Sequence, residues 1–73
     1  MPKLPVLKPK QVIKKFKKLG FIQDRQTGSH VIMYRKNDKR RVVIPLHVKD
    51  LAAGTLLAIL RESGVTKEEF SKA

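Results

Sequence analysis

Two histidines, His30 and His47, are the side chains here whose ordinary pKa, about 6.5, lets them gain and lose a proton near neutral pH. His30 closes the run Gly28-Ser29-His30, directly before the β-prone stretch VIMYR. Gly28 opens backbone conformations closed to other residues and lets a ligand approach closely. Ser29 adds a hydroxyl and a backbone N–H. A positioned imidazole takes a proton from a reacting group or supplies one. RNA brings its own nucleophile, the 2′-hydroxyl. An enzyme that cuts RNA therefore has to hold the phosphate, move protons and stabilise the charge of the transition state. On this chemistry His30 is the candidate catalytic residue, with Gly28 and Ser29 in support. The same spacing also suits a surface histidine at the start of a strand. His47, in IPLHVKD, is expected first to hydrogen-bond the connector that follows and second to support the site.

Most other chemistries are excluded. The chain has no Walker A loop, no GxGxxG, no HExxH and no cysteine. Two histidines without cysteine are a weak zinc signal. Asp24 and Asp38 are too few and too scattered for a two-metal centre. No metal and no organic cofactor is expected.

Charge points to the partner. Seventeen Lys and Arg face six Asp and Glu, a net charge of +11. Thirteen of the seventeen basic groups lie in residues 1–41 beside only Asp24 and Asp38, and half of the acids follow Arg61. A basic front fits a phosphate backbone or an acidic protein surface, and solubility is the plainer reading. Lys14, Lys15, Lys17, Lys18, Arg35, Lys36, Arg40 and Arg41 are the candidate RNA-binding groups. The lysines of the first helix also suit the negative end of its dipole. Tyr34 shares strand parity with His30 and Ile32. It could stack a base, with half-buried sheet packing the more ordinary role.

The elements that must position these groups follow from period and turn chemistry. Seventy-three residues make one domain. Residues 1–8 read as extended because of Pro2 and Pro5. Pro9 suits the first turn of a helix, whose apolar face is Val12, Ile13, Phe16 and Leu19, and Gly20 stops it. The runs FIQDRQ, HVIMYR and RVVIPL predict three antiparallel strands, with turns at Thr27-Gly28-Ser29 and Asn37-Asp38. Pro45 should end the third strand or lie on an edge. After a connector, Leu56, Leu57, Ile59 and Leu60 predict a second helix that stops at Gly64. Thr66 and Glu69 have capping-box spacing for a short last helix carrying Phe70 into the core. The order is α-β-β-β-α with a short terminal helix, an α+β two-layer sandwich with helices on one sheet face. The longest uncharged run, Leu51 to Leu60, is about half of what a membrane-spanning helix needs. A soluble, unexported, cytoplasmic protein without membrane contact is expected.

Several of these stretches occur together in one known family. KLPVL, KKLGF, GSHVIMYRK, RRVVIPLH and AGTLLAILRESGVTKEEF, in this order and at these intervals, resemble the HicA family of toxins from type II toxin–antitoxin systems. The resemblance covers almost the whole chain. It implies a fold similar to the double-stranded-RNA-binding domain and cleavage of mRNA by a single histidine, matched here by His30, without metal. It also implies a HicB-type antitoxin partner, through which alone operator DNA would be contacted. Val31 and Val48 depart from the family's pattern. Two rival readings are a non-catalytic RNA-binding module, which the same fold and charge would fit, and a small DNA-binding regulator. The second is weakened by the lack of a helix-turn-helix pair.

Overall fold

Residues 6–73 are described by a computed structural model. Helix α1 (Pro9–Lys18) forms where the sequence has its 3.6-residue apolar spacing. Val12 and Phe16 are fully buried, and Ile13 and Leu19 pack against the same cluster. Pro9 stands at the first helical position, where a missing N–H costs nothing. The Lys8 backbone N–H donates to Gln11 Oε1 at 2.9 Å, closing the first turn. The helix ends in a Schellman motif. Gly20 has φ +95°, its N–H donates to the Lys17 carbonyl, and the Phe21 N–H donates to that of Phe16. The apolar contact that accompanies this motif is Phe16 against Phe21, edge to face at 5.1 Å.

The strands are β1 (Ile22–Thr27), β2 (His30–Arg35) and β3 (Arg40–Pro45), antiparallel in the order β1-β2-β3. Strand β1 starts one residue later than expected, because Phe21 belongs to the helix cap and the core. Strand β3 starts one residue earlier, at Arg40, which pairs with Arg35. Pro45 ends β3 and lies on an edge strand, so both expectations for it hold. Asp24 is a bulge in β1, the extra residue between Gln23 and Arg25. Val31, Met33, Val42 and Ile44 point to one face and are buried. His30, Ile32, Tyr34, Arg41, Val43 and Pro45 alternate with them on the other face.

Helix α2 (Ala53–Ser63) and helix α3 (Lys67–Lys72) complete the helical layer. Leu56, Ile59, Leu60 and Phe70 join α1 over the sheet in one core. Gly64 caps α2 with φ +74°. Thr66 and Glu69 form the capping box, with both bonds at 3.1 Å. Buried Ser63 is satisfied: its hydroxyl donates to the Leu60 carbonyl and accepts from the Val65 N–H. The order is the expected α+β arrangement, an open three-stranded sheet with helices on one face. Of the amino-terminal extended segment, Leu7 pairs antiparallel with Leu51. Residues 1–5, with Pro2 and Pro5, lie outside the described residues. Among the described residues no helix is long and apolar enough to cross a membrane.

Phe16 is the hub of this core, touching Phe21 and, at 5.6 Å between ring centres, Phe70. Truncating such a ring costs about 3–5 kcal/mol, a large share of the roughly 5–15 kcal/mol that keeps a domain folded. Phe16→Ala should therefore bring the urea midpoint close to zero denaturant, with the near-ultraviolet signal lost alongside the far-ultraviolet one.

Candidate active site at one end of the central strand

The β1–β2 connection is a two-residue turn, Gly28-Ser29, between the paired residues Thr27 and His30. The backbone φ is positive at Gly28, +57°, and not at Ser29. That is the pattern of a type II′ turn, which takes glycine at its first central position. A Cβ on Gly28 would meet nothing within 4 Å, so the glycine answers to backbone conformation and not to crowding. The turn sets His30 as the first residue of β2, with its side chain on the uncovered sheet face.

The register of β2 and β3 brings in the second histidine. His30 pairs with Pro45, and the Leu46 N–H donates to the Ser29 carbonyl. Each histidine therefore follows directly on one member of a bonded pair, Ser29 and Leu46. The two rings lie 5.7 Å apart between centres, inclined by 63°. Both residues are exposed. Among the described residues neither imidazole hydrogen-bonds to a protein group. The hydrogen bond into the connector that was the first expectation for His47 is thus absent there. What His47 has instead is His30. Val31 points into the core, 2% exposed, so the family departure at that position lies on the face away from both rings.

The residues on either side of His47 open onto a groove of about 510 Å³. It is lined by Lys8, Pro9, Lys10 and Gln11 from the start of α1 and by Leu46, Val48 and Lys49 from the connector. Three lysines converge there from segments far apart in sequence. No local pattern in the sequence marks Lys8 or Lys49.

The basic groups that composition and spacing do mark lie elsewhere. Arg35 is at the far end of β2 from His30, about 17 Å away at the usual 3.3–3.4 Å per strand residue. Its guanidinium donates to both Asp38 carboxylate oxygens, at 3.0 and 2.6 Å, and to the Leu19 carbonyl at 3.1 Å. It also covers the Phe21 ring at 4.7 Å. Arg35 is a latch between the β2–β3 turn and the end of α1. Lys36, Arg40 and Arg41 lie at that same end. Arg40 lies against Gly64, and Arg41 covers Tyr34 at 5.3 Å. Tyr34 is half-buried on the uncovered face. Lys15 donates to the carbonyls of Phe70 and Ala73, at 3.3 and 3.2 Å, over the Phe70 ring. It ties down the end of α3, where a cation complements the helix dipole. Lys14, Lys17 and Lys18 are exposed. Among the described residues no three His, Asp or Glu side chains converge as a metal site would require.

A small α+β domain of strong positive charge, with two exposed imidazoles side by side at one end of its sheet, is the class of protein this describes. The model of the family described as "HicA toxin of bacterial toxin-antitoxin" matches residues 9–65. The chain belongs to the HicA toxin family. No curated protein matches it with significant similarity. Family membership gives the chain the role of a toxin and a cognate antitoxin as its partner. The match spans α1 through the end of α2, including both histidines.

The Arg35–Asp38 latch has a pH signature. Hydrogen bonding from Arg35 holds the Asp38 carboxyl below its ordinary value of 3.8. A carboxylate with a lowered folded-state pKa adds stability that is complete above its unfolded value and drains as pH falls through the folded one. Asp38→Asn should thus lower the thermal midpoint at pH 7 and leave it nearly unchanged near pH 2. Midpoints measured across that range for both proteins check this.

Proposed function

We infer that this toxin is an endoribonuclease that cleaves mRNA, with His30 moving the proton at the scissile phosphate. The observation that carries this reading is the exposed His30 imidazole, free of protein hydrogen bonds among the described residues, set by a glycine turn and facing His47, whose neighbours line a lysine-rich groove. A cutting site needs an open titratable group, and a phosphate chain needs a positive path to it. Lys8, Lys10 and Lys49, which line the groove flanking His47, neutralise the phosphates next to the cut. Lys14, Lys17 and Lys18 extend the positive surface along α1. The Arg35 end of the sheet meets more distant nucleotides. Gly28 and Ser29 support by fixing the turn, and no metal or organic cofactor takes part.

The antitoxin of this reading is a HicB-type protein. It covers His30 and meets the basic surface with acidic groups, and operator DNA is contacted through it. Such charge complementarity speeds association and makes the rate fall with salt. Mass spectrometry after diethylpyrocarbonate treatment should find His30 protected in the complex. Equal reactivity in the free toxin and the complex would place inhibition elsewhere.

Catalysis is tested by inducing wild type and His30→Ala in cells while following growth and total mRNA. The wild type should arrest growth and deplete message. The variant should do neither, yet keep its RNA affinity and its thermal midpoint, since exposed substitutions usually stay within about 0.5 kcal/mol. A toxic His30→Ala would remove His30 from the mechanism. Depletion of message by neither protein would favour a binding module without chemistry.

RNA affinity of the inactive variant should also fall with salt, by a logarithmic slope of roughly −0.7 per phosphate contacted. Replacing Lys8, Lys10 and Lys49 by Gln should flatten that slope. A slope that stays the same would take the groove out of the RNA path.

A further inference from the structure

We propose that His47 is the second proton-transfer group of the site, so that cleavage runs on a pair of histidines and not on His30 alone. The inference rests on the ribonuclease reading above and adds to it a residue and a division of labour.

Three observations carry it. The rings are 5.7 Å apart between centres. A catalytic hydrogen bond spans about 2.6–3.2 Å, so two rings at this separation can reach two oxygens of one phosphate. Neither ring is held by a protein hydrogen bond among the described residues. A histidine kept only for structure normally has such a partner, since neutral imidazole offers one donor and one acceptor. The pair is also fixed by backbone and not by side-chain chance: the His30–Pro45 pairing and the Leu46 N–H to Ser29 carbonyl bond set both Cα positions. The charged groups placed near the pair by groove or register are Lys8, Lys10 and Lys49, which line the groove flanking His47, Asp50 three residues beyond His47, and Arg25, which stands opposite Ile32 on the face of His30. Asp50 is the one acid among them.

The chemistry balances with two imidazoles and nothing else. The neutral ring accepts the proton of the 2′-hydroxyl as the 2′-oxygen bonds to phosphorus. The protonated ring gives its proton to the 5′-oxygen as the bond from phosphorus to that oxygen breaks. The products are a 2′,3′-cyclic phosphate and a free 5′-hydroxyl. The two rings have exchanged protonation states, and solvent restores them. A single histidine would have to do both jobs at opposite sides of the phosphorus.

The test uses purified wild type, His30→Ala and His47→Ala on two RNAs. One has ordinary linkages. The other carries sulfur in place of the bridging 5′-oxygen at the cleavage site, a leaving group that needs no proton. On ordinary RNA each variant should be at least about 100-fold slower than wild type, the lower end of what a general acid or base contributes. Wild type should show a bell-shaped pH profile. One variant should lose its acidic limb and the other its basic limb. The variant without the basic limb lacks the acid, and it alone should recover on the sulfur-linked RNA.

His47→Ala with the wild-type rate and profile, beside an inactive His30→Ala, would overturn the pair and leave His30 in place. Loss of activity in both variants with no recovery in either would also overturn it, and would make His47 a group that merely positions His30. A wild type that fails to cut either RNA would instead sink the underlying ribonuclease reading, and a fully active His30→Ala would remove His30 from the mechanism and the pair with it.

Discussion

The register between β2 and β3 is the constraint on which the site depends. Val31 and Met33 must face the helices together with Val42 and Ile44, because these side chains form the sheet's share of the only core a chain this short can build. Side chains alternate along a strand. A slip of β2 by one residue would turn Val31 and Met33 to solvent and send His30, Ile32 and Tyr34 inward. The penalty for burying an imidazole and exposing two core side chains fixes the pairing. Once it is fixed, His30 must stand opposite Pro45, and His47 must emerge one peptide beyond the last strand bond. The histidine pair is thus a by-product of hydrophobic burial on the other side of the sheet.

The two ends of the sheet divide the work. At the Arg35 end, charges are spent on holding the fold. Arg35 ties the β2–β3 turn to α1 through Asp38 and Leu19, while Arg40 closes over Gly64. Across the helical layer Lys15 does the same for the end of α3. At the His30 end the groove between α1 and the connector leaves Lys8, Lys10 and Lys49 lining open space, without an ion pair among the described residues. A domain of net charge +11 pays for that concentration in self-repulsion. The sequence of aromatic contacts through Phe16, Phe21 and Phe70 is what offsets it, by burying large rings at its centre.

Much was determined by the sequence alone. Helix α1, its stop at Gly20, the three strands, the Gly64 cap and the Thr66–Glu69 box are local features, set by residue type within a few positions, and each was legible. So was the place of His30 at the hairpin mouth, because the glycine turn before it is a local pattern, and the family resemblance through GSH and the residues around it was sequence-borne as well. The tertiary structure decided what lies next to what. His47 read as a connector residue because 17 positions separate it from His30, and only strand pairing closes that distance. Arg35 and Lys15 read as free cations because composition counts charges without their partners, and Asp38, Leu19 and the end of α3 come to them only on folding. Lys8 and Lys49 became neighbours for the same reason. Local structure follows from short-range sterics and hydrogen bonding, which a sequence carries in its spacing. A site assembled from non-local segments follows from burial and register, which exist only once the whole core has formed.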